Sequence, residues 1–197
     1  MKVKSMITTA LICALCATPA LAQSISDTTP SGSTEVTGVV SNQNPGGVSY
    51  VIAIPDKVDF GTLQQPGDNK DAYNKSITFD VSATEINNLT QGQIAVLMKD
   101  GTGDDNNAFR IHGKDAANTG KSLVYSVLDA NGSDIQKGNL YTNGYLLSTF
   151  KTAGNKVTGT LSLAQNQLYM QDLTQWAGNY SGSINFYSAV VTMGDVN

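Results

Sequence analysis

Apolar and polar residues alternate along much of the chain, which is the two-residue period of half-buried β-strands. The clearest run lies near the C-terminal end, where apolar or small residues recur at every second position from Tyr180 to Val190. Its length predicts that this run is the central strand of a sheet. The same alternation predicts shorter strands around Val48/Tyr50/Ile52/Ile54, Ile77/Phe79/Val81, Ile94/Val96/Met98, Phe109/Ile111, Leu123/Tyr125/Val127 and Val157/Gly159/Leu161/Leu163.

Glycine, asparagine and proline separate these runs and mark turns, because Gly and Asn tolerate the positive φ of tight hairpins. Such clusters stand at residues 44–47, 65–68, 100–103, 131–132 and 143–144. Residues 83–92 and 165–177 are each expected to hold a helical turn. Many short strands with turns between them predict an all-β fold, an antiparallel immunoglobulin-like β-sandwich with one or two short helical turns.

The N-terminus has the pattern of a secretory signal peptide. Lys2 and Lys4 precede an apolar stretch, and the small residues of Ala20-Leu21-Ala22 predict cleavage after Ala22. Residues 23–33 are polar and predict a flexible arm, which leaves residues 34–197 as a single β-sandwich domain. The expected location is therefore extracellular, secreted or at the cell surface. No later stretch approaches the ~20 apolar residues of a membrane-spanning helix.

Composition narrows the class of protein. Both cysteines, Cys13 and Cys16, fall within residues 1–22, so the 175 residues that follow contain no thiol and cannot form a disulfide scaffold. The same residues carry 10 basic and 16 acidic side chains, a net charge of −6. This charge argues against nucleic acid and anionic lipid as partners.

Catalytic motifs are missing from the sequence. His112 is the single histidine, and no nucleophile elbow, phosphate-binding loop or paired-histidine zinc motif occurs. We interpret His112 as a surface or edge residue and expect no enzymatic activity. A glycosidase stays open as an alternative, because the spacing of carboxylates along a β-sandwich does not reveal which of them share a cleft.

Two acidic loops contain the oxygen ligands that Ca²⁺ prefers. The first holds Asp100, Asp104 and Asp105, and the second spans residues 129–134. Neither has the EF-hand spacing. The alternative interpretation is a pair of turns in which the carboxylates cap backbone N–H groups. No cofactor is expected other than calcium, and Asp100, Asp104 and Asp105 are its candidate ligands.

The aromatic residues allow a carbohydrate-binding interpretation, since exposed rings stack on sugars. Tyr50, Tyr125 and Tyr180, however, fall in phase with apolar neighbours, which favours packing in the core. We expect Trp176 to close one end of the sandwich.

Two stretches resemble small secreted surface proteins of Gram-positive bacteria, which include wall-associated WxL-type proteins and biofilm fibre subunits with immunoglobulin-like sandwiches. Residues 50–61 (YVIAIPDKVDFG) are similar to the opening strand of these proteins, and residues 177–186 (AGNYSGSINF) are similar to the closing one. Within the motifs, Phe60 is expected to point inward before a turn at Gly61. Tyr180 is expected to hydrogen-bond back across its loop, as in a tyrosine corner.

The resemblance implies a structural or adhesive protein, a subunit of a cell-surface or biofilm-matrix fibre that associates with itself or with a host or matrix glycan or protein. Such a subunit can assemble by adding a strand to its neighbour. The candidate assembly strand is residues 33–40, with Val36 and Val40 on either side of Gly38. The alternative is that this segment is the sandwich's own first strand. A secreted carbohydrate- or calcium-dependent binding module is the alternative function.

The resemblance also implies that a Lys–Asn isopeptide bond can cross-link the domain. Lys75 and Asn185 lie on predicted strands and are the candidate pair.

Overall fold

Two antiparallel sheets make up the fold in the computed structural model, which describes residues 47–70, 73–102 and 108–192. The predicted signal peptide and arm lie outside the described residues. So do the assembly-strand residues Val36, Gly38 and Val40 and the candidate calcium ligands Asp104 and Asp105.

Within the described residues the chain forms ten strands, two short 3₁₀ turns and one turn of α-helix. The strands are β1 (Ser49–Ala53), β2 (Asn74–Asn87), β3 (Gln93–Asp100), β4 (Arg110–Gly113), β5 (Ser122–Leu128), β6 (Leu140–Tyr141), β7 (Gly144–Phe150), β8 (Lys156–Ala164), β9 (Tyr180–Ser181) and β10 (Ile184–Val191). The 3₁₀ turns are Ile135–Lys137 and Gln165–Leu168, and the helix α1 is Leu173–Trp176.

The strands are divided between a six-stranded and a four-stranded sheet. The first has the order β1-β2-β8-β5-β4-β9, and the second has the order β10-β3-β7-β6, with every pairing antiparallel. The prediction of an all-β antiparallel sandwich is confirmed.

The core lies between the two sheets and consists of the side chains that the alternation placed inward. Ile94, Val96 and Met98 of β3 are at most 1% exposed and belong to one cluster with residues of the first sheet. Aromatic rings fill its middle, where Phe109 packs on Tyr125 and Tyr145 with ring centroids 5.8 and 6.4 Å apart. The predicted inward faces of β2, β5 and β8 are likewise buried or half-buried, which confirms which of their side chains face inward.

The prediction of a central strand from Tyr180 to Val190 is wrong. The run is divided into β9 and β10, and each lies at the edge of a different sheet. The division occurs at Gly182, where the backbone passes so close to the carbonyl of Arg110 that a Cβ would lie 2.3 Å from the oxygen. In the second sheet β3 lies between β10 and β7, and its apolar run is continuous rather than alternating, as expected of a strand covered on both faces.

One further expectation differs from the structure, and one strand was not predicted. Residues 83–92 do not form a helical turn, because β2 continues to Asn87 and pairs there with β1. The strand β7 was not predicted, although the turn signal at residues 143–144 does join it to β6. By contrast, the helical turns expected within residues 165–177 are present.

The helical segments of the described chain are all too short to cross a lipid bilayer.

The close contact between β2 and β8 predicts a strong effect of a single methyl group. The ring of Phe79 lies over Gly159, and a Cβ at residue 159 would approach the ring to 2.5 Å. We expect Gly159→Ala to lower the free energy of unfolding by about 1–3 kcal/mol through overpacking. Urea denaturation measures this, with Gly67→Ala as the control, since residue 67 has no atom within 4 Å of the added methyl. Equal stability of the two variants would contradict the packing described.

Candidate assembly site

Among the residues that the structure describes, β10 forms one edge of the second sheet and has a single neighbour, β3. All eight residues of β10 pair with β3, and among the described residues no strand pairs with the opposite edge. The Gly101 N–H donates to the Ser183 carbonyl oxygen (2.9 Å), and the Ser188 carbonyl accepts from the Tyr50 hydroxyl (3.1 Å) on the other side. Because backbone groups alternate along a strand, the odd-numbered residues of β10 bond to β3 and the even-numbered ones face the open edge.

The inward side chains of β10 are much less buried than those of its neighbour β3. Val190 pairs with Ile94, and the two side chains lie on the same face of the sheet, yet Ile94 is fully buried and Val190 is 42% exposed. Phe186 pairs with Met98, which is fully buried, whereas Phe186 is only half-buried. The inward side chains of β3 are therefore fully buried, whereas those of the neighbouring strand β10 are partly exposed.

A cleft of about 1280 Å³ lies between the sheets, beside the first half of β10. Ile184 and Phe186 of β10 form one wall, and the core rings of Phe79 and Tyr125 lie at its base. The Phe186 and Phe79 rings meet edge to face, with centroids 6.4 Å apart. The site is apolar at its base and bordered by the edge-facing backbone groups of β10, of which the Ser188 carbonyl accepts from Tyr50, an arrangement suited to an extended peptide.

The wall opposite β10 is a segment without regular structure. Residues 54–66 make no strand pair, and the segment is held by side chains: Phe60 packs on Tyr125 with ring centroids 5.6 Å apart, and Gln65 donates to the carbonyls of Leu168 and Gln171. As predicted, Phe60 is buried and the turn follows at Gly61, with φ of +63°. A wall held in this way can shift at lower cost than one held by a hydrogen-bonded ladder.

The end of the cleft is formed by α1 and the loop that follows it. Trp176 packs against the core, and the Lys121 ammonium lies 5.3 Å from the ring centroid. Trp176 is half-buried at the cleft, and its closing of one end of the sandwich stays a prediction. The Tyr180 hydroxyl donates to the Trp176 carbonyl (2.8 Å), as predicted for a tyrosine corner, and burial raises the pKa of Tyr180. A cation covering the tryptophan ring disfavours its use as a sugar platform.

Asp100 is buried at the end of β3 and is already hydrogen-bonded. Its carboxylate accepts from the Thr102 hydroxyl and from the backbone N–H groups of Thr102 (3.0 Å) and Arg110 (3.2 Å). Burial, with a smaller contribution from the Asp100 charge, raises the pKa of Tyr125. Asp100 thus closes a loop, and with Asp104 and Asp105 outside the described residues its role as a calcium ligand stays a prediction.

The bonds to Asp100 predict a loss of stability that does not depend on calcium. Asp100→Asn replaces one accepting carboxylate oxygen by an N–H₂ group, which cannot accept the hydrogen bond of a backbone N–H. We expect it to lower the free energy of unfolding by about 1–3 kcal/mol. The measurement is urea denaturation in EDTA and again in calcium. Asp56→Asn, at an exposed position, is the control with the same change of charge. If stability fell only in calcium, Asp100 would be a metal ligand instead.

The second acidic loop has the capping geometry. The Asp129 carboxylate accepts from the backbone N–H groups of Asn131 (2.8 Å) and Ser133 (2.9 Å), and Asp134 accepts from the Gln136 N–H (3.0 Å). Within the described part of the chain, no group of three acidic, histidine or cysteine side chains is placed to hold a metal ion.

The remaining predicted residues lie apart from the cleft or on opposite faces. His112 is half-buried on β4, between Ser122 and Ser181 of the neighbouring strands. Lys75 is half-buried on β2 of the first sheet, whereas Asn185 is exposed on β10 of the second. Asn185 has the outward phase of its strand, and the isopeptide bond stays a prediction.

Sequence reasoning missed the cleft itself. It arises from Phe79, Tyr125 and Phe186, which were predicted only as inward-facing residues of separate strands. The one signal available was that β10 contains neither a charged residue nor proline, the usual protection of an edge strand.

No protein-family model and no curated protein matches the chain. A solved structure described as a chaperone–tip adhesin complex vital for the synergistic activation of CFA/I fimbriae biogenesis contains a similar chain. The identity is 19% and the TM-score is 0.48, over 73% of this chain and 42% of the other. The chain therefore spans less than half of the length of the one it matches.

Proposed function

We propose that the protein is an extracellular structural or adhesive subunit that assembles into a cell-surface or biofilm-matrix fibre by strand addition. The observation that carries the proposal is the open edge of β10 above an apolar cleft. An incoming strand would gain backbone hydrogen bonds from the edge and bury the apolar residues beneath it, so both directionality and affinity come from the same contact.

The other edges of the described sheets are weaker candidates for this role. β6 and β9 have two residues each, and β1 has five, whereas β10 has eight. Natural sheets protect long edges from pairing with other chains by a charged residue, a proline or a covering segment. β10 contains neither a charged residue nor a proline. A long, uncharged edge left in this state is expected of a protein that pairs with another chain.

Deletion of the N-terminal segment tests assembly. The chain starting at Gln23 is expected to form species whose mass rises with protein concentration, as measured by size-exclusion chromatography with light scattering. Deleting residues 23–40 is expected to leave only monomer, because the added strand is lost. The matched control deletes residues 23–32 and keeps the predicted strand. A chain that stays monomeric at every concentration with its N-terminus intact would refute the proposed function.

A further inference from the structure

The open edge of β10 defines the register that an added strand must adopt. The backbone groups of Ile184, Phe186, Ser188 and Val190 face the edge, and their side chains have the inward phase. Ser188 and Val190 are exposed in spite of that phase. An added strand therefore has to place small or medium apolar side chains beside these residues, at every second position.

Residues 33–40 have the length and the pattern that this edge requires. The segment contains eight residues, as β10 does, and Val36, Gly38 and Val40 fall at alternate positions. The half-buried Phe186 ring extends toward Phe79, so a glycine beside it avoids crowding. With Gly38 opposite Phe186, one valine lies beside Ile184 and the other beside Ser188.

The position of Gly47 indicates that a strand formed by residues 33–40 at this edge comes from another copy of the chain. The Asn88 side chain donates to the Gly47 carbonyl (3.2 Å), and Gly92 of the same turn lies against Val191, so the chain enters β1 near the Val191 end of β10. Every pairing among the described strands is antiparallel, and antiparallel addition puts residue 40 at the Ile184 end.

The length of the linker between residue 40 and Gly47 shows whether the added strand can come from the same chain or has to come from a neighbour. The seven steps from residue 40 to Gly47 reach about 24 Å when fully extended. To join residue 40 at the Ile184 end to Gly47, the linker of the same chain would have to span the length of β10, which is ~23 Å, and also cross from the second sheet to β1. The chain's own segment is too short to do both.

We propose that residues 33–40 of one copy add antiparallel to the open edge of β10 of a second copy, with Gly38 opposite Phe186, Val40 beside Ile184 at the cleft and Val36 beside the exposed Ser188. This rests on the proposed function and specifies the donor, the acceptor and their register. In this register the outward residues Val39 and Asn185 are opposite each other. A parallel strand would instead place Val39 opposite Tyr187.

Engineered disulfides in the chain starting at Gln23 test the register, because this chain contains no cysteine of its own. The variant Val39→Cys/Asn185→Cys is expected to form a ladder of covalent multimers on mild oxidation, resolved by non-reducing electrophoresis. We expect at least tenfold less ladder from Val39→Cys/Tyr187→Cys. The control Val39→Cys/Leu140→Cys places the second thiol on β6, the opposite edge of the same sheet, where Leu140 is 47% exposed.

Each other outcome overturns the inference in a distinguishable way. A disulfide closed within a single chain, seen as a monomer of altered mobility, would show that the segment is the sandwich's own strand. Polymers that form without the Val39–Asn185 cross-link would leave the proposed function intact and refute this acceptor. A chain that neither polymerises nor cross-links would refute both.

Discussion

Ser188→Pro is expected to abolish assembly while the sandwich stays folded. Residue 188 faces the open edge, so its N–H is not used by the ladder to β3. Proline removes the donor that an added strand would use and fills its place with a ring, whereas an edge strand tolerates proline on its unpaired side. The carbonyl that accepts from Tyr50 remains. We expect the polymer fraction to fall at least tenfold, which corresponds to about 1.4 kcal/mol.

The adjacent residue provides the matched control. Ala189 has the opposite phase, and its N–H belongs to the ladder with Ala95 of β3. Ala189→Pro is therefore expected to destabilise the fold, as measured by urea denaturation, while Ser188→Pro changes the free energy of unfolding by less than about 1 kcal/mol. Light scattering at increasing concentration measures assembly. Normal polymers from a folded Ser188→Pro chain would exclude the β10 edge as the contact.

Phe109→Ala is expected to have the largest effect on stability. The Phe109 side chain is fully buried just before β4 and contacts both Tyr125 and Tyr145, so it joins the two sheets. Removing the ring leaves a cavity that strands from both sheets enclose, and we expect a loss of about 3–5 kcal/mol. The measurement is again the free energy of unfolding in urea.

An exposed apolar residue serves as the comparison for this variant. Leu140 is 47% exposed on β6, and Leu140→Ala is expected to change the free energy of unfolding by less than about 0.5 kcal/mol. If the two variants lost the same stability, the core would not be centred on Phe109.

The residues of the proposed assembly site were partly predictable. The inward phase of Ile184 and Phe186 follows from the alternation, and the turn at Gly61 and the tyrosine corner at Tyr180 follow from local motifs. These features depend on neighbours close in sequence. The pairing of β10 with β3 joins residues that are far apart in the chain, and the alternation within one strand does not reveal how many partners it has.

The expectation of a central strand illustrates the same limit. A long alternating run from Tyr180 to Val190 is compatible with a central or an edge position, because one buried face produces the same pattern in both. In the structure both parts of the run are edge strands, because the run is divided between the two sheets at Gly182, where the backbone lies close to the Arg110 carbonyl.

The alternation of apolar and polar residues was sufficient to predict an antiparallel β-sandwich and the side chains that face its core, because burial on one face of a strand requires an apolar residue at every second position. The identity of the edge strands and the cleft beside β10 became known from the packing of the folded chain. Those properties depend on contacts between distant segments, and no local pattern along the chain records them.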